Sequence, residues 1–78
     1  MDLHSLQAFV EVARQRSFSA AAEALFDTQP AISKRVKALE EELGTSLFDR
    51  LGIKTGLTEA GRALFPRAKH LLDEAEDM

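Results

Sequence analysis

The chain has 78 residues, 45% of them apolar and 29% charged, and a formal net charge of −3. A chain of this length makes one small domain that buries only about 60% of its unfolded surface and has little room for a ligand-sized pocket. It has no cysteine, which excludes a disulfide framework, a thiolate metal site and thiol redox chemistry.

Leu3, Leu6, Phe9, Val10 and Ala13 recur at helical spacing, so residues 3–16 are predicted to form an amphipathic helix. Asp2, His4, Gln7 and Glu11 interrupt this opening stretch. It therefore has neither the apolar core of a signal peptide nor a membrane span, and a cytoplasmic protein is expected. Ser17 or Ser19 can cap the next segment, FSAAAEALF, whose alanines favour a short helix of about two turns. The stretch FDT breaks it.

Thr28 then offers an N-cap for a third helix. Ile32, Val36, Leu39 and Leu43 form its apolar stripe, and Gly44 is the expected stop. Pro30 falls in the first turn, where its missing N–H has no intrahelical partner in any case. Residues 45–58 change character. SLFDR and TGLT suit two short strands, with Gly52 and Gly56 bracketing a tight connection.

Thr58 caps a last helix, in which Leu64, Ala68, Leu71, Ala75 and Met78 make a heptad-like seam. Pro66 inside it is expected to bend it or mark a weak point. A short helix joined by a tight turn to a helix with a basic face is the helix-turn-helix signature, here at about residues 18–37.

Charge is unevenly distributed. Residues 14–37 hold five bases against two acids, a balance of +3, and residues 40–78 hold nine acids against five bases, a balance of −4. A polyanion responds to that local sign more than to the total. With the third helix wound at about 100° per residue, Pro30, Lys34 and Lys37 lie opposite the apolar stripe, with Ser33 on the flank.

A helix in the major groove needs this layout. Lysine suits guanine O6/N7 or phosphate, serine suits either edge, and glutamine reads adenine. The solvated face of any surface helix has a similar layout. Ser17 and Ser19, at the start of the second helix, suit phosphate contact as well as capping. Arg50 and Lys54 flank the hairpin, where a cation can enter a minor groove.

Catalysis, metals and cofactors are not expected. His4 and His70 have no metal-ligand spacing. The runs EEE at 40–42 and DEAED at 73–77 read as solvated helix faces, and LGIKTGLT lacks the phosphate-loop pattern. Two rivals to a DNA reader remain: a helical protein–protein interaction module working through the C-terminal helix, and a double-stranded RNA reader, which the deep RNA groove disfavours.

The whole chain resembles the N-terminal region of LysR-type transcriptional regulators of bacteria. The motifs occur in order: LxxFVEVARQRSFSAAAEAL, then TQPAISKRVKALEEELGTSLFDR, then LTEAGRALFPRA. The middle block is the most specific, with [ST]QPA[IL]S followed by LExxLGxxLFxR.

The resemblance implies a mainly α, winged helix-turn-helix fold, with residues 1–58 as the DNA-binding domain and 59–78 as a linker helix that pairs two protomers. Gln29, Pro30, Ser33 and Lys34 would contact the groove, with Lys37 adding charge. Thr28, Ser17 and Ser19 would serve phosphates. The partners implied are a double-stranded DNA operator and a second copy of the chain, with a tetramer possible in a longer protein. A small-molecule effector would act only through a domain that this sequence lacks, and the chain reads as a fragment because its last helix reaches Met78 without a capping signal. The sequence departs from the family pattern twice: Asp27 stands where an apolar residue is usual, and Ile53 where the wing commonly has arginine. Asp27 is expected to face solvent or to share the capping of the third helix.

Overall fold

The computed structural model describes residues 1–49 and 55–76. The elements run α1 (Leu3–Gln15), α2 (Phe18–Ala24), α3 (Gln29–Leu43), β1 (Phe48–Asp49), β2 (Gly56–Leu57) and α4 (Glu59–Glu76). This is the expected mainly helical architecture with one small antiparallel sheet.

Each of the first three helices starts on a side-chain cap. The Asp2 carboxylate accepts from the Ser5 amide at 2.8 Å, a cap the sequence reading overlooked, and that hydrogen bond holds the Asp2 carboxyl below its usual range. Of the two serines considered for α2, Ser17 is the cap: its hydroxyl accepts from the Ala20 amide at 3.0 Å. Thr28 accepts from the Ala31 amide at 3.3 Å, with Pro30 in the first turn of α3 as expected. At the other end Gly44 takes a left-handed conformation, φ 71°, and the Thr45 amide reaches back to the Glu40 carbonyl at 3.1 Å.

The core lies where α1, α2 and α3 meet. Phe9, Val12, Ile32, Val36 and Leu39 are among its fully buried members, and Ala8 and Ala21 let the helices approach closely. Phe48 carries the hairpin onto this core: its ring centroid lies 5.4 Å from Phe9 and 5.7 Å from Phe18. Leu43 departs from the expected stripe. It has the angular position of a core residue but is 41% exposed, because cover runs out at that end of α3.

β1 and β2 pair antiparallel, Phe48 opposite Leu57 and Asp49 opposite Gly56. The connection predicted around Gly52 lies outside the described residues, as do Arg50, Ile53 and Lys54. Glu40 holds the entry to the sheet, its carboxylate accepting from the Leu47 amide at 2.7 Å and from the Phe48 amide at 3.4 Å. The expectation that the 40–42 run is a solvated face is therefore corrected at Glu40, whose partners are seven and eight residues away. Glu42 instead pairs with the Met1 ammonium at 2.6 Å.

Thr58 ties the hairpin to the start of α4. The Thr58 amide donates to the Leu47 carbonyl at 3.0 Å. The Thr58 hydroxyl donates to the Ser46 carbonyl at 2.7 Å and accepts from the Gly61 amide at 3.1 Å, the predicted cap.

Helix α4 continues through Pro66. Its predicted seam divides. Ala68 is fully buried in the chain's own core and Leu64 packs against it, together with Ala60, Phe65 and Leu72. Leu71, 45% exposed, lies to one side of this inward stripe. Of the residues expected at a protomer interface, Ala68 has no exposed surface in the single chain and Leu64 is half-buried. Ala75 is half-buried, and Met78 lies outside the described residues.

Two positions allow direct tests. A Cβ on Gly61 would stand 2.2 Å from the Leu47 carbonyl oxygen, an overlap with backbone. Gly61→Ala is expected to cost about 1–3 kcal/mol, and each kcal/mol lowers the melting midpoint by about 4–8 °C in a domain of this size. Phe26 adopts φ 56° and is 96% exposed. Phe26→Asn removes left-handed strain of about 1 kcal/mol at no packing cost, so its midpoint should rise in the same thermal melt.

Candidate nucleic-acid interface

Burial of Ile32, Val36 and Leu39 fixes the roll of α3 about its own axis. The other side of the helix is then set: Thr28, Gln29, Pro30, Lys34 and Lys37 are exposed, and Ser33 is half-buried on the flank. Rotation by one residue would turn Ser33 and Lys37 inward, and burying an unpaired lysine is far costlier than exposing a valine. The polar face is thus held by what lies behind it.

The N-terminal end of α3 also presents amide donors and a partial positive charge. Thr28 and Ser17 each spend an oxygen lone pair on a cap and keep a hydroxyl proton to donate. Ser19 is exposed in the first turn of α2. Acidic Glu40, Glu41 and Glu42 lie at the far end of α3, away from Gln29 and Lys34. The structure brings Thr28, Gln29, Pro30, Ser33, Lys34 and Lys37 together on one helix, with Ser17 and Ser19 on the preceding one.

Asp27 shares the N-terminal capping of α3, one of the two expectations, and adds an ion pair. It is half-buried and doubly engaged: one carboxylate oxygen accepts from the Thr28 amide at 2.7 Å and the other pairs with Arg35 Nη1 at 2.8 Å. The Asp27 amide donates to the Ala22 carbonyl at 2.9 Å, tying the turn to α2. An unpaired carboxylate here would be costly, and the guanidinium removes that cost. Arg35, counted with the basic segment in the sequence, is therefore occupied within the domain. The one sequence signal for this was an acid and an arginine on either side of a helix cap, close enough to meet once α3 forms.

Outside this face the surface offers little chemistry. Among the described residues no three histidine, cysteine, aspartate or glutamate side chains converge to hold a metal, and no helix is long and apolar enough to cross a membrane. His70 pairs with Glu74 at 3.0 Å one turn along α4. Pro66, Arg67, His70 and Leu71 line a shallow apolar groove on the outer side of that helix.

Residues 3–62 match the family described as bacterial regulatory helix-turn-helix protein, lysR family. An HTH-type transcriptional regulator from the ibpB-leuC intergenic region of Azotobacter vinelandii is 60% identical over 77 residues, covering 99% of this chain and 54% of that protein. The HTH-type transcriptional regulator BudR of Klebsiella aerogenes is 50% identical over 72 residues, covering 92% of this chain and 50% of that protein. The chain thus spans about half the length of these relatives.

Among solved structures, the DNA-binding domain of BenM in complex with catB site 1 DNA superposes with a TM-score of 0.96 at 36% identity, covering 100% of this chain and 88% of that one. Corynebacterium glutamicum OxyR superposes at 0.95 with 41% identity, over 97% of this chain and 24% of that one. The fold is accordingly a winged helix-turn-helix, the family is one of transcriptional regulators and not of enzymes, and the chain belongs to the lysR family of bacterial regulatory helix-turn-helix proteins.

Proposed function

We propose that this chain is the sequence-specific, double-stranded-DNA-reading part of a bacterial transcriptional regulator, with α3 in the major groove. The observation that carries the reading is the outward face of α3, on which Gln29, Pro30, Lys34 and Lys37 stand exposed with Ser33 on the flank. Gln29, Ser33 and Lys34 discriminate bases, Pro30 rests an apolar surface on sugar or a thymine methyl, and Lys34 and Lys37 supply charge. Thr28, Ser17 and Ser19 donate to phosphates. Arg50 and Lys54 belong to the wing in this reading and approach the adjacent minor groove. In domain terms, residues 1–58 bind DNA and 59–78 form the linker helix.

The protein works in the cytoplasm as a homodimer on a pseudo-palindromic site, so that two copies of α3 meet two half-sites. Two such dimers can assemble further into a tetramer. The dimer contact is on the outer side of α4, centred on Leu71 and extending to Ala75. The exposed groove of Pro66, His70 and Leu71 supports this placement. The same groove favours the second reading, in which α4 docks on an unrelated protein and the basic helix is a bystander. Salt separates the two, since binding through phosphates falls steeply with ionic strength and an apolar helix contact hardly moves.

Gln29→Ala should weaken binding to a duplex selected from a random library by about 1–3 kcal/mol while leaving a scrambled duplex nearly unaffected. Equal weakening of both in an anisotropy titration would remove its readout role. For the dimer, Leu71→Asp should shift sedimentation toward monomer, and an unchanged monomer–dimer balance would remove α4 from the interface.

A further inference from the structure

The junction between the end of α1, the second strand and the start of α4 holds two arginines that the reading above does not use. Arg16 and Arg62 line one cleft of about 180 Å³ together with Ala13, Thr55, Gly56 and Leu57. No acidic side chain is among the residues that line it. Two guanidinium groups placed around one concavity repel each other, and an anion between them relieves that repulsion.

Each arginine is held in place by its backbone or side chain. Arg16 follows α1 directly in a left-handed conformation, φ 55°, with its amide donating to the Val12 carbonyl at 2.8 Å. Helices usually end on glycine at such a position, because any other residue carries strain there. A cation near a helix C-terminus recovers part of that cost, but this does not explain why the side chain lines a cleft with a second arginine. Arg62 lies in the first turn of α4 and donates through Nη1 to the Leu57 carbonyl at 3.0 Å. That bond fixes the guanidinium plane and leaves its other N–H groups free of this contact, in the fork geometry that suits phosphate oxygens.

The cleft also adjoins the proposed DNA face. Ser17, the cap of α2, is the residue after Arg16. The 5.7 Å contact between the Phe18 and Phe48 rings draws the start of α2 onto the hairpin. Ser17, the arginine cleft and the hairpin therefore follow one another along the surface.

We propose that Arg16 and Arg62 form a phosphate-binding subsite that grips the DNA backbone between the α2 N-terminus and the wing. The proposal rests on the reading of α3 as the DNA-reading helix and extends the contact beyond it. The subsite takes one backbone phosphate per protomer and carries no sequence information. It fixes the position of the domain along the duplex, so that the wing is presented at a set distance from α3.

The test measures duplex binding by anisotropy across a range of salt, with the selected and the scrambled duplex in parallel. Arg16→Gln, Arg62→Gln and the double variant are compared with the unmodified chain and with Lys34→Gln. Arg16→Gln leaves the left-handed strain unchanged, and Arg62→Gln keeps a side-chain donor for the Leu57 carbonyl. Each single glutamine variant should weaken both duplexes by the same factor and flatten the slope of log affinity against log salt by about 0.9 per phosphate lost. Arg16→Lys and Arg62→Lys should restore most of the slope because they keep the charge, which a merely structural role would not require.

Unchanged slopes in the glutamine variants, with Lys34→Gln still flattening its own, would overturn the subsite and leave the α3 reading intact. If Lys34→Gln is also without effect, the α3 reading falls and the subsite with it. Inorganic phosphate is titrated separately against the chain by NMR of the arginine side chains. Saturable binding there, with duplex slopes unmoved by the glutamine variants, would overturn the proposal in favour of a free-anion site.

Discussion

The stripe of Ile32, Val36 and Leu39 is the constraint on which the rest of the molecule depends. Each of these side chains contributes about 1.5–3 kcal/mol of burial, and together they allow α3 only one rotation about its axis. The polar face needs no contacts of its own to be oriented, and Gln29 and Lys34 stay free for a partner because none of the fold's stability rests on them. The caps complete this arrangement along the axis. Thr28 sets where α3 begins and Gly44 where it ends, so both the roll and the reach of the helix follow from residues that never leave the domain.

The acidic residues explain how a chain of negative net charge can present a basic face. Several of its carboxylates are engaged by the fold's own amides and cations. Asp2 starts α1, Asp27 closes the turn by holding Arg35, and Glu40 receives the two amides that lead into the sheet. Each of these accepts a hydrogen bond from a backbone amide. An acid used this way is neutralised locally by amide dipoles or a guanidinium and adds little to the field over α3.

Much of this fold was legible in the sequence because its signals are local. Thr28, Pro30 and Gly44 act within one turn of their own positions, and the apolar period of α1 and α3 shows which side is inward. What was not legible depends on distance. Glu40 looks like one member of a charged run until the chain returns seven residues later with two unpaired amides. Arg35 looks available until the turn places Asp27 beside it. Helix α4 was less legible for a geometric reason: Leu64, Ala68, Leu71 and Ala75 fall within one narrow arc, and periodicity alone does not say that the domain covers the neighbouring side, with Phe65, Ala68 and Leu72, and leaves Leu71 exposed. The candidate recognition face was readable, since it is one helix seen from outside, whereas the arginine cleft needed three elements to meet.

The Thr58 junction has a mechanical meaning. One threonine binds the carbonyls of Leu47 and Ser46 and caps α4, and Gly61 lets the helix backbone sit against the Leu47 carbonyl without a side chain between them. There is no slack segment at this joint to absorb a rotation. Helix α4 has 18 residues, and at about 1.5 Å per residue it makes an arm of roughly 27 Å. Because Leu64, Ala68 and Leu72 seat that arm on the core, a force on its far end is shared between the α1 packing and the Thr58 joint, which passes its part directly to the sheet.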